Sequence, residues 1–211
     1  DRYTYIPMTG LFIIMAWGVA DILNNKKSLR NAFYAFSGFL MCLLMTVSWF
    51  QIQKWRDSIT LFQHTLSVTR ENHVAHSCMG NALRHNGDLR GAERHFKEAV
   101  RIFPGSADAH NTLGVVYMNL LNLDLAKAHI SEAIRISPRY ADAYTNLGLI
   151  YSMQKKYVEA IAVYDIALIV KPDYAIVYGN RGVVYLMQGK KNLGCRDAQK
   201  ACALGSCKAL E

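Results

Sequence analysis

The chain has 211 residues, with 24 Lys and Arg against 16 Asp and Glu, and apolar side chains at 52% of its positions. The eight surplus positive charges are scattered in runs no longer than a pair. A nucleic-acid surface concentrates its charge on one face among exposed aromatics, so a solvated helical surface explains these charges better and no nucleic-acid partner is expected.

The chain opens DRYTYIPMTG and runs into an apolar stretch. Residues 6–20 carry no charge, and residues 33–52, FYAFSGFLMCLLMTVSWFQI, are twenty uncharged positions in a row. Crossing about 30 Å of hydrocarbon takes about 20 mostly apolar residues. Trp17, Trp49, Phe50 and Trp55 lie toward the ends of these segments, where aromatic rings favour the headgroup region. The segments at about 6–23 and 33–52 therefore predict two transmembrane helices, a membrane hairpin over residues 1–52 in contact with lipid. The connection DILNNKKSLRN holds Lys26, Lys27 and Arg30, against Arg2, Lys54 and Arg56 on the other side. The denser basic loop favours a cytoplasmic connection, which would put everything after residue 53 outside.

Beyond the hairpin the sequence repeats with a period of 34, and such a period signals stacked helix pairs. Gly80, Gly114, Gly148 and Gly182 share one frame. Ala92, Ala126 and Ala160 share a second, with Gly194 in the last unit, and Ala99, Ala133, Ala167 and Ala201 a third. Pro104, Pro138 and Pro172 close the second helices, since proline cannot continue one, and Phe96, Ile130 and Tyr164 fill the groove between helices. This pattern resembles the tetratricopeptide repeat over residues 72–207. The fold expected is all-α: two spans, a connecting helix at 53–71 that looks like half of a degenerate repeat, then four repeats at 73–104, 107–138, 141–172 and 175–206. Their helix pairs are placed at 73–86/89–102, 107–120/123–136, 141–154/157–170 and 175–188/191–204.

The resemblance implies that the first helix of each pair lines an inner groove that takes an extended peptide. Asn81, Arg84, Asn111, Asn119, Asn146 and Asn180 are the candidate peptide-binding residues, with Ser77, His85, Asp108, Met118, Asp142, Thr145 and Met187 facing the same way. Asn146 and Asn180 resemble the asparagine ladder of the O-GlcNAc transferase repeats, whereas Cys78 and Thr112 stand at that position earlier in the chain. A plain polar surface is the competing reading. Seven histidines are present, but no Cys or carboxylate completes a metal set around His73 and His76. His76 and His110 share their frame with Tyr144 and Tyr178 and are read as packing residues. No catalytic motif, metal site or cofactor is expected. Cys195 and Cys202 lie about 10 Å apart along one helix, too far for a disulfide. Cys202 and Cys207 can pair if Gly205 reverses the chain.

Finally, Arg2-Tyr3-Thr4-Tyr5-Ile6-Pro7, Gly10-Leu11-Phe12 and Ala16-Trp17-Gly18, followed by Trp55, Leu61-Phe62, Thr65-Leu66 and Asn72, resemble the C-terminal part of membrane glycosyltransferases of the GT-C type that carry tetratricopeptide repeats. That resemblance implies a polyprenyl-phosphate sugar as a partner of a longer parent enzyme, with Arg2 and Tyr3 as candidates for its lipid phosphate. It also implies a location in the membrane with the repeats on the extracytoplasmic side. The first function expected is the acceptor-binding end of a protein glycosyltransferase. The second is a membrane-anchored scaffold without chemistry, and nothing in this segment is itself expected to be catalytic.

Overall fold

A computed structural model of the protein describes residues 27–54 and 58–206. The described residues contain ten α-helices: α1 Lys27–Lys54, α2 Ser58–Val68, α3 His73–His85, α4 Leu89–Ile102, α5 Ala107–Asn119, α6 Leu123–Ile136, α7 Ala141–Met153, α8 Tyr157–Val170, α9 Ala175–Met187 and α10 Lys191–Ala203. The chain divides into two units, Asp1–Arg56 and Asp57–Glu211.

The expectation of two transmembrane helices is corrected. Among the described residues, no helix is long and apolar enough to cross a membrane. The expected span at 33–52 is part of α1, where Ser37, Gly38, Thr46 and Ser48 interrupt the apolar run and Lys27, Arg30 and Lys54 bound it. The hydroxyl of Thr46 turns back to donate to the Leu43 carbonyl at 2.7 Å. The expected span at 6–23 lies outside the described residues.

In the second unit, α3 pairs with α4, α5 with α6, α7 with α8 and α9 with α10, each pair stacking on the next, while α2 packs on α3. The pairing is set by steric necessity at the helix crossings. A Cβ on Gly80 would fall 2.8 Å from the Phe96 ring, one on Gly114 2.5 Å from Ile130, and one on Gly148 2.4 Å from Tyr164. Opposite them Ala92, Ala126 and Ala160 are fully buried, as are Ala99, Ala133 and Ala167. The last repeat departs from this apolar scheme. Arg181 takes the frame of Met79, Leu113 and Leu147, and Asp197 the frame of His95, His129 and Val163. The Arg181 guanidinium donates twice to the buried Asp197, at 2.7 and 2.9 Å, and once to Asp165 at 2.5 Å. Burial works against its charge, but the two carboxylates outweigh that and raise its pKa.

Within each pair the chain reverses through one left-handed residue, again every 34 positions: Gly87 (φ 83°), Leu121 (59°), Lys155 (59°) and Gly189 (76°). The following amide reaches back five residues to the helix, as in Asp88 to Leu83 and Asn122 to Tyr117, both at 2.9 Å. This is the Schellman closure that glycine favours. Leucine in this conformation is strained by about 1–2 kcal/mol. Because Leu121 is 77% exposed, little packing would be lost on its removal. Leu121→Gly should therefore stabilise the array by about 0.5–1 kcal/mol after the unfolded-state entropy of glycine is subtracted, read as a raised urea midpoint. An unchanged or lower midpoint would contradict the strain.

Candidate peptide-binding groove

Successive first helices touch one another, α5 on α7 and α7 on α9, so their row forms the tighter, inner side of the stack. The residues that face along it decide what the groove can hold.

The tie between the second and third repeats is polar. Tyr140, at the start of α7, donates its hydroxyl to Asp108 at 3.0 Å and accepts from the Asn111 amide at 3.4 Å. The Asn111 carbonyl oxygen in turn accepts from the Asn146 amide at 2.9 Å. One repeat later the Tyr174 hydroxyl donates to Asp142. Burial and the neighbouring carboxylate push both phenols up, Tyr174 to about 12, so they remain protonated donors at any physiological pH. None of this pairing between repeats was read from the sequence. The signal was present as Asp108/Tyr140 and Asp142/Tyr174, two pairs with the same separation of 32 residues.

These bonds sort the expected peptide contacts. Asn111 is buried, only 7% exposed, with both ends of its amide engaged by Tyr140 and Asn146 at the start of the next repeat, so it fastens the array and does not face solvent as expected. Asn146 is half-buried and donates its N–H to Asn111, while its carbonyl oxygen accepts no side-chain hydrogen bond among the described residues. Asn180 is half-buried and makes no side-chain hydrogen bond among the described residues. Thr145 is buried and returns its hydroxyl to the Ala141 carbonyl at 2.8 Å. At the other end Arg84 reaches Asn81 at 3.5 Å while its Nε is buried without a partner, and Asn119 is exposed. Val115, Leu149 and Val183 occupy the frame of Asn81, so the row turns from polar to apolar toward the C-terminus. The exposed Val183, Met153 and Met187 extend the apolar part.

Cys202 is disulfide-bonded, whereas Cys42, Cys78 and Cys195 are free. Its expected partner Cys207 lies outside the described residues, as do Arg2 and Tyr3. No group of three metal-binding side chains is assembled among the described residues.

Three family models of the tetratricopeptide repeat match residues 73–106, 107–140 and 141–174 in succession. Residues 73–174 are a tetratricopeptide-repeat array. The helix pair α9–α10 continues the same frame. Among curated proteins, the chain is similar to the protein O-mannosyl-transferase TMTC3 of Mus musculus, 27% identical over 126 residues, which is 57% of this chain and 13% of that protein. It thus spans about 13% of the length of that relative. Among solved structures it is similar to MamA, with a TM-score of 0.63 and 25% identity over 72% of this chain and 90% of MamA. YrrB, described as a tetratricopeptide protein with an unusual peptide-binding site, shares the fold with a TM-score of 0.59 and 18% identity over 74% of this chain and 80% of its own.

The hydrogen-bond pattern predicts opposite outcomes for two similar substitutions. Asn111→Ala should destabilise the array by about 1–2 kcal/mol, since it leaves the Asn146 amide and Tyr140 hydroxyl with one partner fewer. Asn180→Ala should change stability by less than about 0.5 kcal/mol. Chemical denaturation of the two variants checks this, and equal losses would mean that Asn111 is not a fastener.

Proposed function

We propose that the repeats form a protein-interaction module whose groove holds an extended polypeptide by the backbone. The observation that supports this reading is the pair Asn146 and Asn180, one repeat apart on the inner row, with an amide oxygen and a whole amide group left unused by the fold. A primary amide both donates and accepts, so it can pair with a peptide unit whatever the side chain. Successive first helices present such groups in register with an extended chain. The apolar strip Val115, Leu149 and Val183 alongside adds side-chain contact, and YrrB is a precedent for peptide binding on this fold.

We propose further that the polypeptide is an acceptor of sugar and that the array presents it to a parent protein O-mannosyl-transferase. Similarity to TMTC3 supports this, as does backbone recognition, which tolerates the many sequences a transferase must accept. In the second reading the same groove gathers partners for assembly with no chemistry attached. We propose that the repeats lie on the extracytoplasmic side; the disulfide at Cys202 supports this, since thiol-rich reducing pools do not reach it there.

Binding of unstructured peptides rich in Ser and Thr to the folded array should weaken about thirtyfold in Asn146→Ala/Asn180→Ala, at about 1 kcal/mol for each lost hydrogen bond. Titration calorimetry against scrambled peptides reads the loss and its sequence tolerance together. An unchanged affinity would remove the groove as the binding surface. Loss of mannosylation of a client in cells expressing the same variant selects the transferase reading, and intact mannosylation with lost binding selects the scaffold.

Compartment is tested separately. Alkylating the thiols of intact cells before lysis should leave Cys202 unmodified until reductant is added. Immediate alkylation of Cys202 in the folded protein would place the repeats in a reducing compartment.

A further inference from the structure

The first two repeats each bring two imidazoles together across their helix pair. His76 of α3 meets His95 of α4 with their Nδ1 atoms 3.1 Å apart. His110 of α5 meets His129 of α6 at 3.2 Å. The rings lie at 5.3 and 5.4 Å between centroids, tilted by 37° and 36°. Because both pairs sit in the same 34-residue frame, the repeat geometry itself aims the rings. The later repeats break the pattern with Tyr144 and Val163, then Tyr178 and Asp197.

We propose that each dyad is a two-imidazole clip for a divalent transition cation of the zinc class, independent of what occupies the groove. Two nitrogens at tetrahedral positions around zinc, each about 2.0–2.1 Å away, stand about 3.3 Å apart. The observed separations fall short of that by about 0.2 Å, a shift that side-chain rotation supplies. In the metal-free pair one Nδ1–H donates to the other Nδ1 lone pair. When the cation enters between them, the donor ring gives that proton to water and takes one at Nε2. Both rings then remain neutral with a lone pair on the metal, and no net proton is released.

Each clip also has a carboxylate near enough to act on its imidazoles electrostatically. Glu98 and Glu132 stand three residues after His95 and His129, which places them on the same helix face. At present they pair with Arg101 at 2.7 Å and Arg135 at 2.5 Å. Such exposed pairs contribute little, so a turn of the side chain toward the metal costs little, and water fills the remaining positions. His76, His95 and His129 are only half-buried, which leaves an entry path. Imidazole nitrogens select zinc, copper or nickel over magnesium and calcium.

The test is titration of the full chain with zinc and, separately, with magnesium. Val163 is the residue that the third repeat carries in the frame of His95 and His129, so His95→Val and His129→Val preserve the packing. The folded wild-type chain should bind two more zinc ions than the folded double variant, and each single variant should lose one. Magnesium should not bind at these sites. Background binding by Cys78, Cys195 or other histidines is common to all four proteins and cancels. Equal zinc stoichiometry in wild type and folded double variant, or no uptake by the wild type, overturns the proposal. Should the valines unfold the array, His76→Tyr and His110→Tyr, which carry the side chain of Tyr144 and Tyr178 into the earlier repeats, replace them in the same comparison.

Discussion

At Gly80, Gly114 and Gly148 the two helices of a repeat approach so closely that a single methyl group would land within 3 Å of the facing side chain. That distance governs the array. It admits Phe96, Ile130 or Tyr164 into the space above the glycine and fixes how the second helix leans. It thereby determines which face is left apolar for the next repeat to cover. A substitution there is not absorbed by one neighbour, since the displaced helix carries its own contacts to the following pair. The last repeat shows the limits of the scheme. At Gly182 a Cβ would meet the Gly194 carbonyl at 3.2 Å, and ionic partners around Arg181 take over from the missing large apolar residue, since Ala198 stands in the frame of Tyr164.

The groove is built from the same material as the joints between repeats. Asp108, Tyr140, Asn111 and Asn146 form one connected run of hydrogen bonds, and a ligand that reached for Asn146 would meet an amide already oriented by its neighbour. Held in this way, its carbonyl oxygen is pre-aimed, so little side-chain entropy is lost on binding. Asn180 has no such support and its side chain must be ordered by whatever it holds.

The solenoid was legible because steric frames recur in type: a glycine, an alanine or a ring every 34 residues identifies the crossing without any knowledge of partners. Helix ends were readable to within a residue, with first helices closing at His85, Asn119, Met153 and Met187, one position before the expected stops, because the left-handed closure needs one linking residue more. The groove was less readable. Asn111, Asn146 and Asn180 all read as groove residues in the sequence, and only the arrival of Tyr140 and Asn146 from the next repeat makes the first a fastener, while no side-chain hydrogen bond engages Asn180 among the described residues. A polar residue on a helix face declares its direction but not its partner. The apolar stretch in α1 misled for a related reason: an absence of charge is not the same as continuous apolarity, and Ser37, Gly38, Thr46 and Ser48 separate the two.

Helix starts change character along the chain. Asn72, Asp88, Ser106 and Asn122 each cap their own helix, accepting an amide N–H at 2.8–3.3 Å. From α7 onward Tyr140, Lys156, Tyr174 and Lys190 make no such bond, and two of these residues, the tyrosines, instead reach back to the preceding repeat. The early repeats thus carry their stability within themselves, at about 1 kcal/mol for each cap, while the later ones borrow it from the unit before. In a one-dimensional chain of coupled units this makes the array directional. Side-chain capping alone therefore favours the first two repeats as the place where folding starts and the C-terminal half as the place where the array opens.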